Sequence, residues 1–295
     1  MTKEIQRLKK QLLREELRRQ GKLPSYRYWL LAGVCLVLVA AGSLWWYQAN
    51  LKKVAVKRLQ AALEYKAKGR YEEALDALQT LYKDYPKLAA TTPQSLIESG
   101  EILELYASRY DDALLTYLLL LRDFPDHPSA PTIERRIADL YKYRLGNCSQ
   151  AIAVYQRILD RSEEGGDRLQ YEVADCYFQL NNFEQARIEF EGLLKKYPQS
   201  DQLAEVQFRI AVTYALEGQL PEAEASYRLV ALNWPEHPYA LEARFGLAAV
   251  LEEQERLVEA RRELVSLQGI YHNQTTLNQK LEQIQARIDK KKKAI

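Results

Sequence analysis

Three histidines, three cysteines and 40 acidic residues are the groups from which this 295-residue chain could build a reactive site. A metal centre needs ligands that converge at close, characteristic spacing. His127 and His237 instead sit in matching links, "PDHP" and "PEHP", and His272 stands apart from both. Cys148 and Cys176 lie 28 residues apart without a CxxC, and Cys35 falls inside an apolar run, so a zinc reading fails. Two readings of Cys148 and Cys176 stay open: a disulfide in an oxidising compartment, or two small buried free thiols. No HExxH, GxSxG or GxxxxGK[ST] occurs. The Gly-Gly of "EEGGD" (163–167) reads as a turn rather than a phosphate cradle, and the carboxylates fall at helical spacing on solvated faces. The sequence therefore offers no catalytic residue, no metal ligand set and no cofactor site. Its chemistry is that of binding, not of an enzyme.

Charge narrows what could be bound. The formal charge is +2, but residues 1–58 hold 13 Lys/Arg against 3 Asp/Glu. Without the terminal run Lys290–Lys293, residues 59–289 carry about −12. Nucleic-acid binding needs a basic face on the folded domain, so an acidic body with a basic head argues against it.

What sits between head and body is "RYWLLAGVCLVLVAAGSLWWYQANLKK", residues 27–53. Its 24 residues from Tyr28 to Leu51 carry no charge. As a helix they would span about 36 Å, enough to cross a hydrocarbon core of about 30 Å with tilt. Tyr26, Tyr28 and Trp29 mark one end and Trp45, Trp46 and Tyr47 the other, which is the aromatic belt of a true span. "LAGVC" lacks the small residue that a lipidation site needs before its Cys. "VAAG" (39–42) would satisfy a signal peptidase, but the leader is long and aromatics follow directly. The expectation is a retained anchor at 28–50. Nine Lys/Arg precede it and four follow closely, which keeps residues 1–27 in the cytoplasm and exports the body. Residues 3–19 space Ile5, Leu8 and Leu12 as an amphipathic helix suited to an anionic membrane surface.

The body repeats. "GRYEEALDALQTLYKDYP" (69–86) recurs as "SRYDDALLTYLLLLRDFP" (108–125), "GNCSQAIAVYQRILDRSE" (146–163), "NNFEQARIEFEGLLKKYP" (181–198), "GQLPEAEASYRLVALNWP" (218–235) and "ERLVEARRELVSLQGIYH" (255–272). Each copy has a small residue at one place: Ala74, Ala113, Ala151, Ala186, Ala223 and Ala260. Large apolar residues follow at four and seven positions on, which is one face of a helix. Pro follows at twelve in four copies and stops it. Five positions before each Ala stands Gly69, Ser108, Gly146, Asn181 or Gly218, residues suited to closing a preceding helix, while the sixth copy departs with Glu255. Twelve positions before the marker, Ala62, Ala174, Ala211 and Ala248 allow close helix pairing. Glu101 and Asp139 hold that column in copies two and three, where packing must shift toward Gly100 and Ala138.

This pattern resembles the tetratricopeptide repeat (TPR) family, over residues 54–272 and with a period of 35 to 39 against the family's 34. The longer links resemble TPR modules of bacterial envelope proteins, among them outer-membrane assembly lipoproteins and the Tol–Pal-associated periplasmic coordinator. The layout of one span followed by exported repeats resembles the ancillary chaperone family of the Sec translocon. The resemblance implies an all-α fold: a right-handed superhelical solenoid of about six helix pairs, preceded by one transmembrane helix and closed by a capping helix and basic tail at 273–295. Leu277, Leu281, Ile284 and Ile288 form the inward stripe of that cap. It further implies protein binding in a concave groove lined by the first helix of each pair. Tyr106, Tyr141, Tyr177 and Tyr214 are the expected groove contacts, and a net acidic face would suit a basic or extended partner segment. The functions that follow are assembly or chaperoning of an envelope or secretion complex at the bacterial inner membrane, or a rigid spacer that positions or oligomerises a membrane complex.

Overall fold

The computed structural model describes residues 3–19, 25–161 and 165–293, and among them every regular element is helical. The side chains of residues 25–27, Tyr26 of the expected belt included, and residues 163–164 of the Gly-Gly link lie outside the described set. The chain divides into two compact units, Met1–Ser99 and Gly100–Ile295.

In the first unit, α1 (Lys3–Arg19) buries none of its residues and exposes Ile5, Leu8 and Leu12. Helix α2 (Ser25–Ala67) is one helix of 43 residues. Its uncharged part is exposed along its length, and no Pro interrupts the run from Ser25 to Ala67. Its last turns act as the first helix of the first pair. Ala55 and Ala62 are fully buried there, and α3 (Tyr71–Asp84) lays Ala74, Leu78 and Leu81 against α2. Gly69, at φ +73°, makes the reversal between them without a Cβ penalty. The remainder of the unit enters α4 (Thr92–Leu105), whose start is held by the Thr92 hydroxyl donating to the Tyr85 carbonyl at 2.5 Å.

The second unit continues the alternation. First helices are the end of α4, α6 (Ala130–Asp139) with a π-turn at Leu140–Arg144, α8 (Gly166–Gln179), α10 (Leu203–Leu216) and α12 (Pro238–Glu253). Second helices are α5 (Tyr110–Asp123), α7 (Cys148–Leu159), α9 (Phe183–Lys196), α11 (Leu220–Asn233) and α13 (Leu257–Ser266). From α6 to α14 (Gln274–Lys293), each helix packs on the next. The marker alanines and the large residues four and seven positions later form the core: Tyr117, Tyr155, Phe190, Leu193 and Leu264 are fully enclosed. Leu277, Ile284 and Ile288 of α14 close the end of this core, with Leu281 half-buried beside them.

All six reversals use one backbone device. Ser108, Asn181 and Glu255 adopt φ of +53°, +57° and +62°, as do the glycines at the equivalent positions. Glu255 departs in residue type yet not in conformation. Its carboxylate is engaged by Arg287 and Lys291 of α14, which compensates a left-handed backbone that a side chain disfavours.

Where the small column carries an acid, local contacts differ in a legible way. In copy two, Gly100 supplies the close approach: a Cβ there would lie 2.2 Å from the Tyr117 ring. Glu101 is then free to accept from Arg136 at 2.9 Å. In copy three, the Tyr155 hydroxyl donates to Asp139 at 2.6 Å, so the acid is satisfied inside the pair. The Gly-Gly link is likewise built for contact as well as turning. Gly165 is left-handed, and a Cβ on Gly166 would lie 2.1 Å from the Tyr197 hydroxyl oxygen.

Candidate protein-docking groove

The first helices of the second unit carry a polar ladder that ties each to the next. Lys142, in the π-turn, is buried and reaches Glu172 at 2.5 Å and Asp175 at 2.6 Å on α8. Burial works against its ammonium, but the hydrogen bonds it donates to Asp175 and Glu172 outweigh that and hold it protonated well above an ordinary lysine. Asp175 also binds Arg209 of α10. The Tyr171 hydroxyl donates to Glu205 of α10 at 2.5 Å, and Tyr271 donates to Glu242 of α12 at 3.0 Å. Lys280 and Arg287 of α14 each meet Glu252 of α12 at 2.6 Å.

Beside the ladder runs an aromatic column. Tyr171, Phe208 and Phe245 stand fifteen residues before their marker alanines. Phe208 meets Tyr227 at 5.9 Å and Tyr239 at 5.2 Å, and Phe245 stacks on Tyr271 at 5.0 Å between ring centres. Burial, with a hydrogen bond to Glu205, pushes the Tyr239 hydroxyl up to about 12. Burial with a bond to Glu242 does the same for Tyr271. These rings are half-buried or buried, so they shape the face while still holding the stack together.

Of the four tyrosines expected to line the groove, Tyr106 is exposed, while Tyr141, Tyr177 and Tyr214 are half-buried. Tyr177 packs on the core around Phe190. Tyr214 lies under the Arg187 guanidinium, 4.3 Å from its ring centre, and donates to Glu191 at 3.4 Å. Both partners are on α9, a second helix, so Tyr214 faces its neighbouring pair. The open apolar groups are others. Leu105, Tyr106, Tyr143, Leu180 and Leu216 are exposed at the C-terminal ends of successive first helices or just beyond them. The repeat columns contain that signal, since these residues fall six to eight positions before their marker alanines.

The ladder changes the electrostatic expectation. Glu101, Glu172, Asp175, Glu205, Glu242 and Glu252 each accept from a cation or a hydroxyl of this chain. Four of these carboxylates, Glu101, Glu172, Asp175 and Glu252, are thus paired with cations of this chain. Arg144 lies 5.4 Å from the Tyr110 ring centre. Cys148 and Cys176 are both buried. His127 and His237 accept backbone N–H groups from Ser129 at 3.2 Å and Tyr239 at 3.3 Å; His237 is thereby the N-cap of α12, while His127 braces the turn that leads into α6. Asn147 and Asn273 cap α7 and α14 in the same manner. No cluster of three metal-binding side chains occurs among the described residues.

Family models described as tetratricopeptide repeat match residues 47–87 and 140–201. Those two segments match tetratricopeptide repeats. A TPR protein of Parabacteroides merdae has a similar solved structure, with 18% identity, 81% of this chain and 92% of that chain covered, and a TM-score of 0.51. The type IV pilus biogenesis factor PilW is matched at 18% identity over 74% of this chain and 94% of its own, with a TM-score of 0.47. YrrB, a TPR protein with an unusual peptide-binding site, is matched at 16% identity over 64% and 91%, with a TM-score of 0.46. The likeness to the Parabacteroides merdae protein, at 18% identity, speaks for the fold alone. No curated protein matches the sequence.

Proposed function

We propose that this protein is a membrane-anchored TPR scaffold that holds protein partners for an envelope or secretion complex, with its body in the periplasm of a bacterium. The observation that carries the reading is α2: an uncharged, exposed stretch continues as one helix into the first helix pair, where it packs on α3. The Lys/Arg excess on the N-terminal side supports an exported body. Docking falls to the exposed row of Leu105, Tyr106, Tyr143, Leu180 and Leu216, which suits an extended segment with apolar side chains. Reporter fusions at the C-terminus test the topology: an enzyme active only after export should work there, and activity from a cytoplasmic reporter alone would overturn it. Crosslinking with mass spectrometry separates a chaperone, with many unfolded clients, from an assembly factor with one stoichiometric partner.

A rigid spacer is the second reading. The ladder favours it, because side chains that bind the next helix stiffen the stack and are unavailable to a partner. Substituting Tyr143 and Leu216 by Ser separates the two: partner capture should fall in a docking protein and persist in a spacer.

A further inference from the structure

Cys148 and Cys176 are the nucleophilic side chains of the repeat body, and the docking face uses neither. Cys148 opens α7 and Cys176 lies in the third turn of α8; both are buried. α7 packs on α8, with Cys148 against the face of α8 that carries Gln179, three residues on from Cys176. Cys148 Sγ also donates to Gln179 Oε1 at 3.3 Å, one turn beyond Cys176 on α8. Gln179 Nε2 in turn donates to Asp175 at 2.8 Å, so the stretch of α8 that carries Cys176 is held opposite Cys148.

We propose that Cys148 and Cys176 form a dithiol site that a disulfide donor, a protein or small-molecule disulfide, oxidises to an intramolecular bond clamping α7 to α8. Cys148 opens α7 between the exposed residues Asn147 and Ser149 and is the first to react. Its thiolate attacks one sulfur of the donor, forming a mixed disulfide and releasing the first donor thiol. Cys176 then attacks Cys148 Sγ, and the second donor thiol leaves. Two electrons pass to the donor, which ends as two thiols carrying the two protons. Burial raises the Cys176 thiol, so the closing step, which needs its thiolate, is the slower of the two.

Chain entropy for a crosslink spanning 28 residues would lower the unfolded population by roughly 10²-fold. The chemistry is independent of location, but its occurrence in cells rests on the exported placement proposed above. The test equilibrates the full chain in detergent with mixtures of oxidised and reduced glutathione, quenches with acid, alkylates in denaturant and weighs the intact protein. One internal link with loss of two hydrogens, Cys35 still alkylated, and no internal link in Cys148→Ser or Cys176→Ser is the expected result. The oxidised form should also show roughly 10²-fold less unfolded protein in urea than the reduced form. Three alkylated thiols under excess oxidised glutathione, or a link through Cys35, would overturn the proposal. Acid trapping in cells separates it from the topology: a link that forms in vitro while both thiols stay reduced in cells supports the site and counts against export.

Discussion

Replacing Gly100 by Ala sets two physical effects against each other with opposite signs. Gly100 lies inside α4, where helix propensity alone makes Ala better than Gly by about 1 kcal/mol. Packing says the reverse. An added Cβ would sit 2.2 Å from one Tyr117 ring carbon and 2.7 Å from two others. The ring is fully buried, and its hydroxyl is held between Glu104 at 3.1 Å and Arg136 at 3.0 Å, so it has nowhere to swing. Overpacking costs about 1–3 kcal/mol, and so close an approach places this case near the top of the range. The net expectation is a loss of about 2 kcal/mol. Urea unfolding of the full chain in detergent, followed by far-ultraviolet circular dichroism, reads it as a lowered midpoint. In a Tyr117→Leu background the ring is gone, and Gly100→Ala should then stabilise by about 1 kcal/mol. If Gly100→Ala raises the midpoint with Tyr117 in place, the packing argument for this junction is wrong.

Other outcomes follow from the ladder and the reversals. Lys142→Met should cost about 2–3 kcal/mol, less than a fully stranded ion pair, because Asp175 keeps Arg209 and Glu172 keeps Tyr143; equilibrium unfolding measures it. Ser108→Gly should stabilise by roughly 0.5–1 kcal/mol, since it relieves a left-handed backbone at the cost of a looser unfolded chain. Burial alone would raise the Glu252 carboxyl, but hydrogen bonds from Lys280 and Arg287 hold it below the usual range. Its stabilisation is therefore complete above the unfolded value of about 4.3 and is lost as pH falls through the lowered folded value. Amide exchange in α14 should accelerate on that descent, and Glu252→Gln should weaken protection at neutral pH and flatten the acid response.

Much of the architecture is legible in the chain because a repeat enforces its own columns. Ala74 through Ala260 mark where two helices must touch, and the large residues four and seven positions on fill the space between pairs. Hydrophobic period and the helix-stopping prolines require only local physics, so the helices could be placed without knowing their neighbours. The left-handed Glu255 was not legible, because its residue type argues against the conformation that Arg287 and Lys291 make tolerable from another helix. Nor could the sequence say that Tyr214 turns toward α9, since a tyrosine on a first helix has faces toward both the groove and the core.

Composition by itself determined that residues 59–289 are acidic, that 28–51 are uncharged and that six helix pairs follow in register. Tertiary structure decided what those charges do. Carboxylates that read as a solvated acidic surface lie, once the helices stack, within reach of Lys142, Arg209, Lys280 and Arg287 from neighbouring helices. Stacking likewise sets Cys148 against the stretch of α8 that carries Cys176, although 28 residues separate them along the chain. The physical reason is the same in each case. Period and propensity are properties of a few consecutive residues, whereas charge pairing and thiol contact depend on distances that exist only after separate helices have packed.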